Sequence, residues 1–312
     1  MKYSIIIPTY RDTYLNQAIE SVLSQNYTDF ELVIVDDCSP CNLKAIVDSY
    51  DDNRISYYRN PQNYGAYKLV DNWNQCLKLC KGEYIINIGD DDVLLPNCLE
   101  EYNKLIARYP DLYVYHARTQ IIDKDNQITG LQDVRPVKES FYSMLYHQWH
   151  YNRMQFIGDF CFKASWLRDR DGYVFFPYAL NSDWATANLA AKEGGGIANG
   201  NVVTFQYRRT SSNISSTQDF KTGADTLMAI RDFYKQLLED EPDSMDDQVF
   251  RMLMTREIDD VYRRKLLRYI TFDISSSHKS IISNIVYWTR RRKKYNIGMS
   301  TLFYSVLRGL HT

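Results

Sequence analysis

Three consecutive carboxylates, Asp90-Asp91-Asp92, stand between an apolar run and Val93-Leu94-Leu95-Pro96. Like charges this close repel one another. The arrangement becomes favourable when a hard divalent cation, Mn2+ or Mg2+, sits among them and also meets phosphate oxygens. A cation so placed can neutralise a departing diphosphate. The competing reading is a solvated acidic turn or a helix cap. A second acidic pair, Asp36-Asp37, also ends an apolar run, where a carboxylate can accept from a ribose hydroxyl or a base N–H. Asp, Ser and Pro are equally turn residues, and Asp37-Cys38-Ser39-Pro40 is full of them. Tyr10, just past Pro8 and Thr9, offers a flat face for stacking a base, or else packs routinely at a sheet edge.

The elements that must position these groups follow from periodicity. Residues 3–8 and 31–37 are β-rich apolar runs of the kind formed by parallel strands buried on both faces. Between them Leu15, Ala18, Ile19, Val22 and Leu23 recur at helical spacing. The alternation continues with a helix over 42–50, a strand at 55–58, a helix over 66–80 and a strand at 84–88. A helix over 97–108 opened by Pro96 and a strand at 112–116 complete it. Such alternation predicts an α/β fold with a mainly parallel sheet flanked by helices. Ligands of such sheets bind beyond the carboxyl ends of the strands, so Pro8-Thr9-Tyr10, Asp36-Asp37 and Asp90-Asp91-Asp92 should converge on one cleft. Past residue 117 the alternation weakens: a hairpin near 123–126, a helix over 139–149, a helix from Asp183 to Gly194-Gly195-Gly196 and a strand at 201–208. From 219 onward the pattern is helical, which divides the chain into a catalytic domain at 1–218 and a basic helical region at 219–312.

The 312 residues are 45% hydrophobic and 24% charged, ordinary for a folded domain with an appendage. The N-terminal apolar run stops at Pro8, too short for a signal peptide, and no apolar stretch approaches the roughly 18 residues of a spanning helix. A cytoplasmic location is the expectation, and with it six reduced cysteines. Cys38 and Cys41 form a CxxC without the second pair a zinc site needs, and His147 and His150 lack a third ligand nearby. The net charge of −2 conceals a polarity. Residues 261–312 hold eleven Lys or Arg against Asp273 alone, a net +10, which leaves −12 for residues 1–260. Basic residues interleaved with Tyr287, Trp288, Phe303 and Tyr304 suit an anionic membrane surface, which would make the protein peripheral on the inner face of the plasma membrane. A plain helical appendage with solvated charges is the alternative, and the acidic body argues against a nucleic-acid partner.

Ser4 to Arg11 (SIIIPTYR), Ala18 to Asn26 (AIESVLSQN) and Phe30 to Ser39 (FELVIVDDCS) resemble the opening of the family two inverting glycosyltransferases. Asn63-Tyr64-Gly65, Asn74, Lys81-Gly82-Glu83-Tyr84 and Asp90 to Pro96 continue the likeness in order, over roughly residues 3–215. The resemblance implies a GT-A fold that binds a nucleotide-sugar donor, with UDP-sugars the expected class. It implies that Pro8, Thr9, Tyr10 and Asp36 contact the nucleotide, with Asn63 and Gly65 nearby. Where the family has Asp-x-Asp followed by another Asp, this chain has Gly89-Asp90-Asp91-Asp92 and lacks the first acid. In the shortened form of some relatives, Asp90 would meet the ribose and Asp91 the metal, with Asp92 in support. Asp183 falls where the family places its catalytic base, though Ser182 stands where another acid is usual; capping of the following helix is the simpler reading. Arg208 and Arg209 resemble the late segment near the diphosphate, whose oxygens suit a guanidinium, and a surface ion pair is the alternative. The Gln-x-x-Arg-Trp signature of processive relatives is absent, so the expected reaction is a single sugar addition to a glycan or lipid-linked acceptor in surface polysaccharide synthesis. The rivals are a sugar-nucleotide pyrophosphorylase, disfavoured because Pro8-Thr9-Tyr10-Arg11 carries no glycine-rich loop, and a non-catalytic nucleotide-sugar-binding protein. No GxGxxG follows a strand, which disfavours a dinucleotide oxidoreductase.

Overall fold

The computed structural model describes residues 1–151, 153–210, 220–275 and 281–310. The chain forms two compact units, Met1–Asn213 and Ile214–Thr312. The domain boundary expected at 218/219 lies outside the described residues.

The first unit opens with β1 (Tyr3–Thr9), α1 (Leu15–Leu23), β2 (Phe30–Asp36), α2 (Leu43–Val47), β3 (Ile55–Arg59), α3 (Leu69–Leu79) and β4 (Tyr84–Asn87). A short β5 (Val93–Leu94), α4 (Cys98–Arg108), β6 (Val114–Ile122), β7 (Ile128–Leu131), β8 (Lys138–Glu139) and α5 (Phe141–His150) follow. The unit closes with β9 (Phe160–Lys163), α6 (Ala164–Asp169), α7 (Ser182–Glu193) and β10 (Ile197–Arg208). One sheet runs in the order β3-β2-β1-β4-β9-β6-β10-β5, with β7 against β6 and β8 against β10. β1, β2, β3 and β4 are parallel, and β1 and β2 are buried almost throughout, which is why their sequences are unbroken apolar runs. Their registers set the site. Thr9 pairs with Asp36 across β1/β2, and Ile6 pairs with Asn87 across β1/β4, so the acidic turn after β4 emerges beside the end of β1.

The sheet departs from simple alternation at β9, which runs antiparallel between β4 and β6, and at β10, which pairs parallel to β6 and antiparallel to β5. β6 runs to Ile122, longer than the expected 112–116 strand, because the hairpin with β7 and the pairing with β10 satisfy its far end. At Gly82 a Cβ would lie 2.5 Å from the backbone N of Ser4, so β1 and the turn before β4 close only on glycine. All six cysteines are free thiols.

The second unit contains α8 (Phe220–Leu237), α9 (Met245–Ser275), α10 (Ile281–Arg291) and α11 (Met299–Leu310). Met254, Ile258, Tyr262, Leu266, Ile270 and Ile274 repeat every four residues along α9 as one buried stripe. Leu266, Ile270 and Ile274 share a core with Ala224, Trp288, Tyr295, Ile297 and Leu302. Asp273, the single acid of residues 261–312, is buried and accepts from Trp288 Nε1 at 2.7 Å. Among the described residues no helix is long and apolar enough to cross a membrane.

Candidate active site

The three expected clusters converge. Asp90 Oδ2 accepts three bonds from the end of β1: Thr9 Oγ1 at 2.9 Å, Tyr10 N at 3.0 Å and Arg11 N at 3.1 Å. Ser39 Oγ donates to Tyr10 O at 2.7 Å, tying the turn after β2 to the same segment. Tyr10 is exposed, with its ring open to a ligand.

The acids of the triad differ sharply. Asp92 is buried, and its oxygens receive Arg208 N at 3.0 Å and Gly89 N at 3.2 Å. Burial and the neighbouring Asp91 hold its carboxyl well above the usual range. Asp92 thus braces the acidic turn against β10, each of its oxygens accepting from one backbone amide. Asp91 is half-buried and its carboxylate receives no donor from another described residue. Burial first, and the charge of Asp90 second, push its pKa up to about 6. An acid raised in this way is relieved by a cation, so Asp91 fits a divalent ion, while Oδ1 of Asp90 is left for a ligand hydroxyl. Among the described residues no three His, Cys, Asp or Glu side chains gather as a cation cage. A cation here would complete its shell with phosphate and water, the usual habit of Mg2+. The absence of a first acid has a steric correlate: a Cβ on Gly89 would lie 2.8 Å from Asp91 Oδ1 and 2.9 Å from Asp92 Oδ2.

Asp36 is fully buried and satisfied from within, by Ser39 N at 2.7 Å, Tyr57 Oη at 2.6 Å and the guanidinium of Arg59. The half-exposed Arg59 therefore stands between Asp36 and solvent. Its neighbour Asp37 holds the loop after β3 by accepting from Asn60 Nδ2, Tyr64 N and Gly65 N at 2.8, 3.0 and 3.3 Å. That loop carries Asn63 and Gly65 to the site, and Gly65 has φ +66, which favours glycine. Asp37, expected as one of a ligand-facing acidic pair, turns inward to this loop, and Arg59 carries no sequence signal as a site former because its role depends on the β2/β3 register that pairs it with Asp36.

Arg208, expected at the diphosphate, is instead wholly buried. Its guanidinium donates to Asp91 O at 2.8 Å, Asp123 O at 3.0 Å and Gln17 Oε1 at 2.5 Å, and lies over the Tyr14 ring. It clamps β10 to the acidic turn. Arg209 is exposed, and among the described residues its guanidinium makes a long contact with Met154 Sδ.

Asp183 stands in the first turn of α7, whose N-cap is Asn181 rather than Asp183. Its Oδ1 accepts from Trp184 N at 2.8 Å. Burial of the carboxyl pushes its pKa up to about 7, partly offset by that N–H. Ser182, where the resemblance has another acid, is buried and accepts from Phe176 N at 3.0 Å, so it anchors the preceding loop. Asn74 accepts from Tyr173 N at 2.9 Å and fixes the same loop from α3.

A curled, mainly parallel sheet that gathers acids at the carboxyl ends of its first strands, followed by helices, is the architecture of the GT-A class. The chain belongs to glycosyl transferase family 2, whose model matches residues 4–173. It is 28% identical over 225 residues to the UDP-Glc:alpha-D-GlcNAc-diphosphoundecaprenol beta-1,3-glucosyltransferase WfaP of Escherichia coli, covering 69% of this chain and 80% of that protein. Three other curated relatives are matched over only 36%, 48% and 41% of their lengths. S. aureus TarS 1-349 in complex with UDP-GlcNAc superposes with a TM-score of 0.63 at 16% identity, covering 94% of this chain and 88% of that one. The Pyrobaculum calidifontis mannosyltransferase PcManGT, in complex with GDP-Man and Mn2+, gives 0.57 at 13% identity, covering 99% and 86%. These two likenesses concern the fold.

Proposed function

We propose that this chain is an inverting glycosyltransferase that moves one sugar from a nucleoside diphosphate sugar, a UDP-sugar, to a hydroxyl of a glycan or lipid-linked acceptor in surface polysaccharide synthesis. The observation that carries this reading is the acidic turn beside the end of β1: Thr9, Tyr10 and Arg11 hold one oxygen of Asp90, and the adjacent Asp91 carboxylate, raised to about 6, receives no donor from another described residue. Asp183 is raised to about 7, as is Asp159, but the oxygens of Asp159 are filled by Gln132, Thr119 and Phe156 N, whereas Asp183 accepts from Trp184 N. The name of WfaP and the UDP-GlcNAc bound to TarS support the donor and acceptor classes.

In this mechanism Tyr10 stacks on the base, Pro8 and Thr9 line its pocket, and Asn63 and Gly65 close one side of it. Asp36 acts through Arg59, and Asp90 takes the ribose on Oδ1 while its Oδ2 stays bound to the β1 end. Asp91 would hold a divalent cation, Mn2+ or Mg2+, which when bound neutralises charge on the leaving diphosphate. Arg209 supplies a guanidinium to phosphate oxygens. Asp183, with a pKa near the working pH, accepts the proton of the acceptor hydroxyl as it attacks the sugar from the face opposite the diphosphate. The test is thermal stabilisation by a panel of UDP-, GDP- and dTDP-sugars with and without Mn2+. A hundredfold excess over Kd adds about 2.7 kcal/mol to the bound state. A melting curve unmoved by every nucleotide would sink the reading.

The basic helices are proposed to rest on the cytoplasmic face of an anionic membrane. Ile282, Val286, Met299, Phe303, Tyr304 and Leu307 are exposed on α10 and α11, beside the exposed Arg290, Arg291 and Lys293.

A further inference from the structure

Directly before α7 the backbone is strained at three positions. Tyr178, Ala179 and Asn181 have φ of +60, +52 and +66, a region that non-glycine residues rarely enter. Such residues persist only where their surroundings over-determine them. Here they do: Val174 N donates to Thr186 Oγ1 at 2.9 Å, Phe176 N to Ser182 Oγ at 3.0 Å, and Ala185 N to Asn181 O at 2.8 Å. The outcome is a fixed position for the Tyr178 ring, five residues before Asp183. It meets Tyr67 edge to face, with ring centroids 5.4 Å apart and an interplanar angle of 81°. Tyr67 follows directly on the loop that Asp37 holds and is 48% exposed. Neither hydroxyl bonds to a described protein group.

Two rings at nearly a right angle form a corner with one open face and two unused hydroxyls. A pyranose has the matching chemistry, because its axial C–H bonds present an apolar patch to an aromatic face while its hydroxyls bond at the rim. Tyrosine supplies such contact at small entropic cost, having only two side-chain torsions. One ring belongs to the segment after the donor-side loop and the other to the segment before Asp183, so the contact ties together the chain segments that carry the two halves of the proposed reaction. We propose that Tyr67 and Tyr178 form the stacking platform for the acceptor's pyranose ring and so govern acceptor choice. This rests on the glycosyltransferase reading above.

The test uses the full chain and a panel of methyl pyranosides of glucose, galactose, mannose, N-acetylglucosamine and N-acetylgalactosamine, observed by saturation-transfer NMR with UDP and diamagnetic Mg2+ present. Calorimetry of UDP on the same samples reads the donor side separately. The wild type should saturate the ring protons of at least one pyranoside. Tyr67→Ser and Tyr178→Asn should each reduce that signal at least fivefold with UDP affinity within twofold; Asn is chosen because it tolerates positive φ. Tyr67→Phe and Tyr178→Phe should keep the stacking signal. The proposal is overturned if a wild type that binds UDP saturates no pyranoside, if the signal survives both polar variants, or if those variants lose UDP as well, which would make the pair a structural clamp. Loss of UDP binding by the wild type itself, with pyranoside saturation intact, would strike the donor reading and leave the platform standing.

Discussion

Thr9 Oγ1 donates to Asp90 Oδ2 across 2.9 Å, joining the end of β1 to the acidic turn that follows β4, 81 residues away. With Tyr10 N and Arg11 N on the same oxygen, the bond directs Asp90 so that its other oxygen is left for a ligand. Thr9→Val keeps the shape and removes the hydroxyl. It should cost about 1 kcal/mol of stability and weaken UDP several-fold by loosening Asp90. Denaturant melts and calorimetry check this; an unchanged UDP affinity would remove Thr9 from the donor site.

The unlike surroundings of Asp91 and Asp92 predict opposite phenotypes. Asp92→Ala strands the N–H groups of Gly89 and Arg208 and should lower stability by about 1–3 kcal/mol. Asp91→Ala relieves a like-charge contact, so the melting temperature should hold or rise while Mn2+ no longer strengthens UDP binding. Calorimetry of UDP with and without Mn2+ separates them, and an Mn2+ effect that survives Asp91→Ala would end its assignment as the cation's anchor.

Asp183→Asn preserves the contact with Trp184 N, since an amide oxygen accepts equally well, but cannot take a proton. Turnover should drop by about 10² to 10⁴ with UDP affinity intact. Activity within a few-fold of wild type would send the search for the base elsewhere.

The same carboxyl makes a pH prediction. Its pKa rises from the ordinary 3.8 to about 7 on folding, so its proton is bound more tightly in the folded state. Its stabilising contribution is complete below about pH 4 and disappears as pH rises through 7. The rate should run the other way, falling below pH 7 as the base becomes protonated. Melting temperature against pH, for wild type and Asp183→Asn, should differ in slope between pH 4 and 7; parallel curves would contradict the raised pKa.

Phe303→Ser with Leu307→Ser removes exposed apolar area from α11 without touching the buried Leu302. Co-sedimentation with phosphatidylglycerol-containing vesicles should fall, and binding of the wild type should weaken with salt as the basic residues are screened. Equal pelleting of variant and wild type would argue for a partner other than lipid.

What was legible in the sequence was what local patterning encodes. The apolar runs of β1 and β2, the helical stripe of α1 and the acids at the strand ends appear as periodicity and composition, because burial on one or both faces of an element writes itself into neighbouring residues. β9 leaves little trace in the sequence, because four residues, Phe160-Cys161-Phe162-Lys163, carry too little pattern, and their insertion between β4 and β6 is decided across the sheet.

The sequence by itself determined that acids would crowd the carboxyl ends of parallel strands, since strand and turn propensities act over a few residues. Which acid does what was decided only by the tertiary structure. Asp90, Asp91 and Asp92 are adjacent and chemically identical, yet one is tied to β1, one is left without a donor and one is locked to β10. The same holds for Arg208 and Arg209, one a buried clamp and the other open to solvent. Hydrogen-bond partners from more than 80 positions away set the burial and protonation of these groups, and those depend on register and packing that no local window contains.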